Sequence, residues 1–443
     1  MKKTLCTLLA ALLLSVMLIP AACAESIELL WEGKTLSTLS ESASAVTVYE
    51  YGKGYGLMTL DGQEILPMQY NRISNSKCTE GFYVANSGED MNGNTLFDQS
   101  GKALTDGLYG DIEMLSDKWV VAIKLVLTTD ENYDYWAFGS SDHYNIDTCD
   151  VIYVPSGKVA TLTRDQYQSA TAFGDYLLVL DRSSTVQLYD SQFKPVESAF
   201  TASYQDEYYI TDKGLSRNLL VSRITGETIA SGYEDVNEVF SNIFISVENE
   251  DGTGLIDNTG AVLLNCEYDD IDESNNPRYL ELEKDGLLGL YDLEACQIVL
   301  PCEYDSFLDP DYETMCYNGY FIVEKDGKFG YTNGTAMTYP MEYAEDDVLL
   351  MGSSFLIENE DETYTLVAAD GVVTPLTGVT EVEDRNNASL GRYILAANAE
   401  GLWGILDWHG TWIVEPILNS MFDFDFVDAN HIIVDDDYMY VIK

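Results

Sequence analysis

A unit of 34 to 39 residues recurs along almost the whole chain, and this repeat limits the fold more than any other feature of the sequence. Each unit has an aromatic residue or Leu before a Gly, an apolar run, a turn, a second apolar run and often a Tyr followed by an acid. The turns are marked by Gly62, Gly101, Gly157, Gln192, Gly226, Gly260, Ala295, Gly334, Gly371 and Gly410. A period of this length indicates an array in which every unit packs against its neighbours.

The apolar runs predict β-strands. They are four to seven residues long, rich in Val, Ile, Leu, Tyr and Phe, and separated by Gly, Asp, Asn and Ser. Segments such as "FYVANS", "IFISVEN" and "YFIVEK" alternate with the turns, and each unit has room for three or four strands. The chain is therefore expected to be all-β, an array of ten to eleven antiparallel, three- to four-stranded repeats with almost no helix.

The residues at the turn markers have a local reason. Hairpin turns need a positive φ angle, which Gly adopts without steric cost, and most of the markers are Gly. Gln192 and Ala295 do not fit this rule. The turns at these two positions are predicted to be of another type.

Several units share a finer motif. An aromatic residue precedes Gly at Trp403-Gly404, Tyr55-Gly56 and Phe329-Gly330, and a later Tyr-acid pair stands at Tyr268-Asp269 and Tyr304-Asp305. In these motifs the chain resembles the bacterial exported WG-repeat proteins, although the units centred on residues 157, 192 and 371 lack the motif. The resemblance implies an all-β, propeller-like repeat protein that is used in binding, and it implies no catalytic residues.

The closure of the array follows less directly from the sequence. Propellers typically close with four to eight blades, fewer than the ten to eleven units counted here. A single propeller-like array is favoured, with two smaller rings or an open β superhelix as alternatives. The array is expected to span residues 25–443, with a degenerate first unit at 25–52 and a leftover strand, "YMYVIK", at the end.

One step between turn markers is irregular. From Gly101 to Gly157 the spacing is 56 residues, and the surplus lies within 124–150. This insertion is predicted to be either an extra hairpin that packs on the array or a loop that contacts a ligand. Its aromatic residues are the candidate ligand-contacting residues: Tyr133, Tyr135, Trp136, Phe138 and Tyr144.

The N-terminal 24 residues have the pattern of a signal peptide. Lys2 and Lys3 precede an apolar run of about 15 residues, shorter than the ~20 that span a bilayer, and 22–24 offer small residues for cleavage. A secreted or extracytoplasmic location, with or without association to the cell surface, is therefore expected. A lipoprotein anchored at Cys23 is the less favoured alternative, because Pro20 stands where the lipid-attachment motif has Leu.

The composition restricts the partners. The chain has 75 acids against 23 Lys and Arg, a formal charge of −52, so nucleic acid is disfavoured by like-charge repulsion. Calcium is weakly suggested by the acid runs at 269–273, 309–311 and 423–425 and by the loop at 90–94, which lacks the full pattern of an EF-hand loop. No cofactor and no metal ligand is assigned, and a protein or a surface polysaccharide is the expected partner.

Signatures of catalysis were sought and none was found. The chain has no Gly-x-Ser-x-Gly, His-Glu-x-x-His or Gly-x4-Gly-Lys-Ser/Thr motif, and its three His lie far apart. The six cysteines after residue 24 are interpreted mainly as small buried hydrophobic residues. The favoured function is a non-catalytic exported binding scaffold. The alternative is a propeller-type hydrolase or lyase that acts on carbohydrate.

Overall fold

The computed structural model describes most of the chain after the predicted signal peptide. The described residues are 27–33, 35–39, 44–75, 77–88, 92–105, 108–136, 142–203, 205, 208–213, 216–240, 243–308, 315–345, 348–383, 392–421, 424–428 and 430–442. Within them the regular secondary structure is almost entirely strand, and a three-residue 3-10 helix, Arg164–Gln166, is the one helical element that lies wholly within the described residues. The prediction of an all-β chain is confirmed.

Forty-four strands are described, and they are short. The first seventeen are β1 (Ile27–Glu32), β2 (Leu36–Thr38), β3 (Ala45–Glu50), β4 (Gly54–Thr59), β5 (Glu64–Tyr70), β6 (Arg72–Ser74), β7 (Phe82–Asn86), β8 (Asn94–Asp98), β9 (Asp111–Met114), β10 (Trp119–Thr128), β11 (Tyr135–Trp136), β12 (His143–Tyr153), β13 (Lys158–Thr163), β14 (Ser169–Phe173), β15 (Tyr176–Leu180), β16 (Val186–Tyr189) and β17 (Pro195–Val196). The next sixteen are β18 (Tyr208–Lys213), β19 (Ser216–Ser222), β20 (Thr228–Ser231), β21 (Asp235–Phe240), β22 (Phe244–Asn249), β23 (Gly252–Asp257), β24 (Val262–Tyr268), β25 (Asp270–Glu273), β26 (Tyr279–Lys284), β27 (Leu287–Asp292), β28 (Gln297–Tyr304), β29 (Ser306–Leu308), β30 (Cys316–Tyr317), β31 (Tyr320–Lys325), β32 (Lys328–Thr332) and β33 (Met337–Tyr343). The remaining strands are β34 (Leu349–Leu350), β35 (Ser354–Glu358), β36 (Tyr364–Ala368), β37 (Val373–Leu376), β38 (Val379–Val382), β39 (Tyr393–Asn398), β40 (Trp403–Asp407), β41 (Trp412–Leu418), β42 (Phe424–Phe426), β43 (His431–Val434) and β44 (Tyr438–Ile442).

The described strands form eleven antiparallel sheets, most of them four-stranded. In a regular sheet the strands lie side by side in chain order, as in β2-β3-β4-β5 or β25-β26-β27-β28. The last sheet departs from this rule, because its order is β1-β44-β43-β42. The strand at the beginning of the described chain thus completes the sheet at its end.

This pairing joins the two ends of the array. Strand β1 pairs with β44 from Ile27, opposite Ile442, to Glu32, opposite Tyr438. Beyond the strand, the N–H groups of Gly33 and Leu36 donate hydrogen bonds to the carbonyl oxygens of residues 437 and 436 at 2.8 and 2.6 Å. The stretch 25–52 is therefore divided between two sheets: β1 belongs to the last one, whereas β2 and β3 belong to the first.

The hydrophobic core shows that the ring is closed. Eleven clusters of buried residues are described. Ten contain buried residues of two consecutive sheets, and the remaining one, in the fourth sheet, packs against Ile224 in the β19–β20 turn of the fifth. An open row of eleven sheets would have ten such interfaces, so the eleventh closes the row. That interface packs the first sheet on the last one through Leu36, Val46, Val48, Val427, Ile433 and Met439. The single propeller-like array is confirmed, and it forms one ring of eleven sheets.

The turns explain the Asp-x-x-Gly pattern. Asp257 Oδ1 accepts hydrogen bonds from the N–H groups of Thr259 and Ala261 at 2.8 and 2.9 Å, and Gly260 has φ of 85°. The same side-chain-to-backbone bonds are repeated at other hairpins, at Asp98, Asp181, Asp190 and Asp407. At the two exceptional markers the positive φ moves one residue on, to Phe193 at 58° and Cys296 at 50°. The turn after Asp190 makes the same bonds as the Gly-marked turns, so the prediction of another type is wrong there. The turn after Asp292 does differ, because its carboxylate accepts from the N–H groups of residues 294 and 295.

The Tyr-acid pairs join neighbouring units. Tyr268 is buried at the end of β24, within the core cluster that continues into the next sheet. The following Asp269 accepts a hydrogen bond at 2.5 Å from the N–H of Asp285, in the β26–β27 turn of that next sheet. Tyr304 and Asp305 repeat the arrangement one unit later, with the N–H of Asp326 as donor at 2.6 Å. The motif thus links each sheet to the next.

Candidate functional site

The insertion within 124–150 forms a long hairpin. Strands β10 and β12 pair over ten positions, from Trp119, opposite Tyr153, to Thr128, opposite His143. The short strand β11 adds to the outer part of β12. The insertion is therefore an extension of the third sheet, which agrees with the hairpin alternative of the sequence analysis.

Two of the candidate aromatic residues are used in packing. Tyr135 and Tyr144 are half-buried against the cluster that joins the third and fourth sheets, which contains Trp119, Val121 and Leu177. Burial raises the pKa of the Tyr135 hydroxyl well above its ordinary value. These two side chains fasten the hairpin to the ring.

A buried ion-pair cluster holds the hairpin in place. The carboxylate of Asp134 accepts hydrogen bonds from Arg164 at 2.9 Å and Arg182 at 2.7 Å, and from the N–H of Ile146 at 2.9 Å. The Asp134 side chain is 10% exposed. Burial alone would raise its pKa, but the three donors outweigh burial, and the pKa is lowered. One carboxylate thus ties the insertion to the fourth sheet.

The other aromatic residues of the insertion are placed differently. Tyr133 is exposed and its ring stacks on His143 with centroids 3.9 Å apart and an interplanar angle of 6°. Trp136 ends β11, with its backbone paired to His143. Phe138 lies outside the described residues. Tyr133 is therefore the one described side chain of the five that points to solvent.

A polar cleft lies between the first two sheets, at a place the sequence analysis did not indicate. It measures about 590 Å³ and is lined by Thr35, Ser37, Thr38, Leu39, Thr47, Tyr49, Tyr55, Asn71, Arg72, Ile73 and Ser74. The lining comes from β2, β3, β4 and β6 and from the link between β5 and β6. Five of the described lining residues carry a hydroxyl on a short side chain, and none of the described ones is an acid, although the chain has 75 acids.

An aromatic wall closes one side of this cleft. Tyr49 and Tyr55 are opposite each other on β3 and β4, and their ring centroids are 4.8 Å apart at an angle of 42°. Tyr55 is the aromatic residue of a Tyr-Gly motif and also packs on the core of the first two sheets. The motif therefore has two roles here, since its ring reaches both the core and the cleft.

A smaller cleft continues from the first one. It measures about 240 Å³, and Arg72 and Ser74 line both clefts. The other lining residues include Asn86, whose amide donates to Asn94 Oδ1 at 3.0 Å, and Lys77, which pairs with Asp111 at 2.8 Å. Asp111 is the single carboxylate among the described residues that line the two clefts.

Carboxylate pairs elsewhere do not coincide with a cleft. Asp272 and Glu281 are opposite each other on β25 and β26, and burial raises the pKa of both. Neither residue lines either of the two clefts. Across the described parts of the chain, no group of three or more His, Cys, Asp or Glu residues could hold a metal ion. Asp90, Asp309, Asp311 and Asp423 of the calcium hypothesis lie outside the described residues.

The six described cysteines are free. Cys149 is buried and Cys296 is exposed, and the others lie between these extremes. Burial raises the pKa of Cys78 to about 11, which keeps this thiol protonated near neutral pH.

None of the helical residues that the structure describes forms a segment long and apolar enough to cross a membrane.

The sheets, their order and their interfaces define an all-β, propeller-like repeat protein. Residues 254–281 match the family model of the WG containing repeat, so the chain carries a repeat of this family, as its motifs predict. The matched stretch runs from β23 to β26 and therefore covers half of one sheet and half of the next. No curated protein matches the chain.

Several solved structures are similar to the chain. BamB from Moraxella catarrhalis is 12% identical, with 84% of this chain and 99% of that chain covered and a TM-score of 0.20. The WD40 domain of SCAP from fission yeast is 11% identical, with coverages of 94% and 98% and a TM-score of 0.26. A eukaryotic initiation factor is 9% identical, with coverages of 84% and 95% and a TM-score of 0.33. The description of the fold rests on the sheets and interfaces given above.

Proposed function

We propose that the chain is an exported, non-catalytic binding scaffold whose ring of repeats presents the polar cleft to a surface polysaccharide or a protein. The observation that carries this proposal is the cleft of about 590 Å³ whose described lining has two tyrosines, five short hydroxyl side chains and no acid. Its volume is within the range of ligand sites. An aromatic wall beside hydroxyl and amide groups suits a polar ligand that also has an apolar face.

The lining of the clefts favours binding over hydrolysis. Glycoside hydrolysis generally uses two carboxylates on opposite sides of the bond that breaks. The described lining of the two clefts holds one carboxylate, Asp111, and Lys77 neutralises it at 2.8 Å. A carbohydrate-active hydrolase or lyase remains the alternative, and the facing pair of Asp272 and Glu281, whose pKa values are both raised, is the observation in its favour.

A screen of the chain from residue 25 onward tests this function. Glycan arrays and protein pull-downs are compared for the unchanged chain, Tyr49→Ala in the cleft wall and Tyr51→Ala as a control, since Tyr51 is 93% exposed and lies outside the cleft lining. We expect a specific glycan or protein to bind, Tyr49→Ala to weaken binding by about tenfold or more, and Tyr51→Ala to leave it unchanged. The proposal fails if nothing binds specifically, or if both variants bind as the unchanged chain does.

The same glycans distinguish binding from catalysis. Each glycan that binds is incubated with the protein, and new reducing ends or unsaturated products are measured. We expect none. Turnover that Asp272→Asn abolishes would instead establish the hydrolase or lyase alternative.

A further inference from the structure

Arg72 is placed at the junction of the two clefts without a partner. It is exposed, it begins β6, and its guanidinium makes no hydrogen bond or ion pair with any residue that the structure describes. The other arginines with described side chains all interact with protein groups: Arg164, Arg182, Arg223, Arg278 and Arg392. Among these arginines Arg72 is therefore the one whose side chain has no described protein partner, and it faces a cleft.

The surroundings of Arg72 leave its positive charge available. The larger cleft has no acid among the described residues of its lining. Two carboxylates are bound to lining residues: Asp437 accepts the N–H of Thr35 at 3.2 Å and Asp425 accepts the hydroxyl of Thr38 at 3.4 Å. More distant acids act weakly on the cleft, because the screening length at physiological ionic strength is about 8 Å.

The rest of the lining indicates what kind of anion would bind. Arginine presents a planar fork of N–H donors that matches a carboxylate in a bidentate manner. Around it stand hydroxyl groups of Ser37, Thr38 and Ser74, the amide of Asn71, and the wall of Tyr49 and Tyr55. Hydroxyl and amide groups both donate and accept hydrogen bonds, as sugar hydroxyls do, and tyrosine rings can cover the C–H face of a sugar. Ser37 and Thr38 donate their hydroxyl protons to the carbonyl of residue 38 and to Asp425, so their oxygens can still accept from a sugar hydroxyl. An acidic peptide would use the arginine but would offer no C–H face of a sugar to the tyrosine wall.

We propose that the cleft between the first two sheets binds a carboxylate-bearing saccharide, with the carboxylate on Arg72 and the sugar ring against Tyr49 and Tyr55. This inference rests on the proposed binding function and names the ligand class of the same cleft. The net charge does not exclude it, since the described lining of the larger cleft presents no carboxylate to the ligand. The cleft selects a uronic or similar acidic sugar unit over its neutral counterpart.

The test uses matched ligands. Polygalacturonate, alginate and hyaluronan are each prepared in native and carboxyl-reduced form, and their affinities for the full mature chain are measured together with that of hexaglutamate. The variants are Arg72→Gln, which removes the charge and the fork, Arg72→Lys, which keeps the charge alone, and Lys328→Gln, which removes an exposed cation from β32, far along the chain. Melting temperatures confirm that every variant is folded.

The expected result is a preference of about tenfold or more for at least one native polymer over its reduced form. Arg72→Gln abolishes the preference, Arg72→Lys retains part of it, and Lys328→Gln leaves it unchanged. Equal binding of native and reduced polymers, or a preference that survives Arg72→Gln, overturns the inference and leaves the proposed binding function standing.

The remaining outcomes are also decisive. Tighter binding of hexaglutamate than of any polysaccharide overturns the saccharide class. The saccharide class is also overturned if no polysaccharide binds but a protein does, and if Tyr49→Ala abolishes that protein's binding. In that case the proposed binding function still stands. If neither a glycan nor a protein binds, the inference and the proposed function fail together.

Discussion

At the scale of single residues, the repeat motif consists of positions that the backbone requires. The Gly of the aromatic-Gly pair lies beneath a bulged neighbouring strand, and so does the equivalent Gly254, which follows Thr253. A Cβ added to Gly254 would lie 2.8 Å from the carbonyl oxygen of Leu264 and 2.8 Å from the N of Cys266. The aromatic residue of the pair is buried between sheets, as Phe329 and Trp403 illustrate. Many acids are also structural, since those at the hairpin turns accept backbone N–H groups.

The close approach at Gly254 predicts a large effect of a small change. Gly254→Ala is expected to destabilise the protein by about 3 kcal/mol, because both neighbouring groups are backbone atoms that cannot rotate away. Gly286→Ala is the control. Its φ of 74° is strained for Ala, but no atom lies within 4 Å of the added Cβ, so the expected cost is about 1 kcal/mol. Chemical denaturation of both variants measures the difference, and equal costs would show that the bulged strand can move.

The cluster around Asp134 predicts how stability depends on pH. Its pKa in the folded protein is lowered from an ordinary value of about 3.9, so the stabilisation is present above that value and is lost as the pH falls through the folded pKa. Asp134→Asn is expected to destabilise the protein by about 2 kcal/mol at pH 6, because two arginines lose their charged partner. Below about pH 4 the difference in melting temperature between the two proteins should shrink.

An exposed acid of the same hairpin provides the control for Asp134. Glu131→Gln removes a charge from this hairpin without breaking an ion pair, and it should leave the melting temperature almost unchanged at both pH values. A gap between the Asp134→Asn variant and the unchanged protein that stays constant from pH 6 to pH 3 would contradict the linkage to Asp134.

At the scale of elements, the unit visible in the sequence is out of phase with the sheet. The matched repeat at 254–281 begins in the third strand of one sheet and ends in the second strand of the next. The repeat unit and the sheet are displaced by two strands for a physical reason. The Tyr-acid pair joins two sheets, so the recurring motif extends across the interface between them. Strand lengths, turns and the hairpin in the insertion could be predicted from local patterns. The sheet to which each strand belongs could not be predicted from local patterns.

The hairpin in the insertion allows two neighbouring tyrosines to be compared. Tyr135 packs against the core cluster of the third and fourth sheets, whereas Tyr133 is exposed and stacks on His143. Tyr135→Ala is expected to destabilise the protein by about 2 to 3 kcal/mol through the loss of buried area, and Tyr133→Ala by less than about 0.5 kcal/mol. Thermal unfolding measures both. A ligand affinity that falls with Tyr133→Ala at an unchanged melting temperature would show that the hairpin, and not the cleft alone, contacts a partner.

At the scale of the whole molecule, the features that the sequence conceals are those made by distant residues. The pairing of Ile27 with Ile442 has no local signal, because each strand alone looks like any other strand of the array. The cleft is equally hidden, since Thr35, Tyr55 and Arg72 come from different strands and form no motif. The period and the turn chemistry predicted the sheets, and only the long-range contacts determine that eleven of them close into a ring.

The closing strand yields the last prediction. Removal of residues 25–33 leaves the edge of β44 unpaired and weakens the interface of Leu36, Val46 and Met439. Because a ring has one interface more than an open row of the same sheets, its loss should lower the melting temperature and increase the radius of gyration measured by X-ray scattering. A synthetic peptide "ESIELLWEG", which restores residues 25–33 by pairing along the free edge, should reverse both changes. A shortened protein with unchanged melting temperature and radius would show that β1 adds to the last sheet without holding the ring closed.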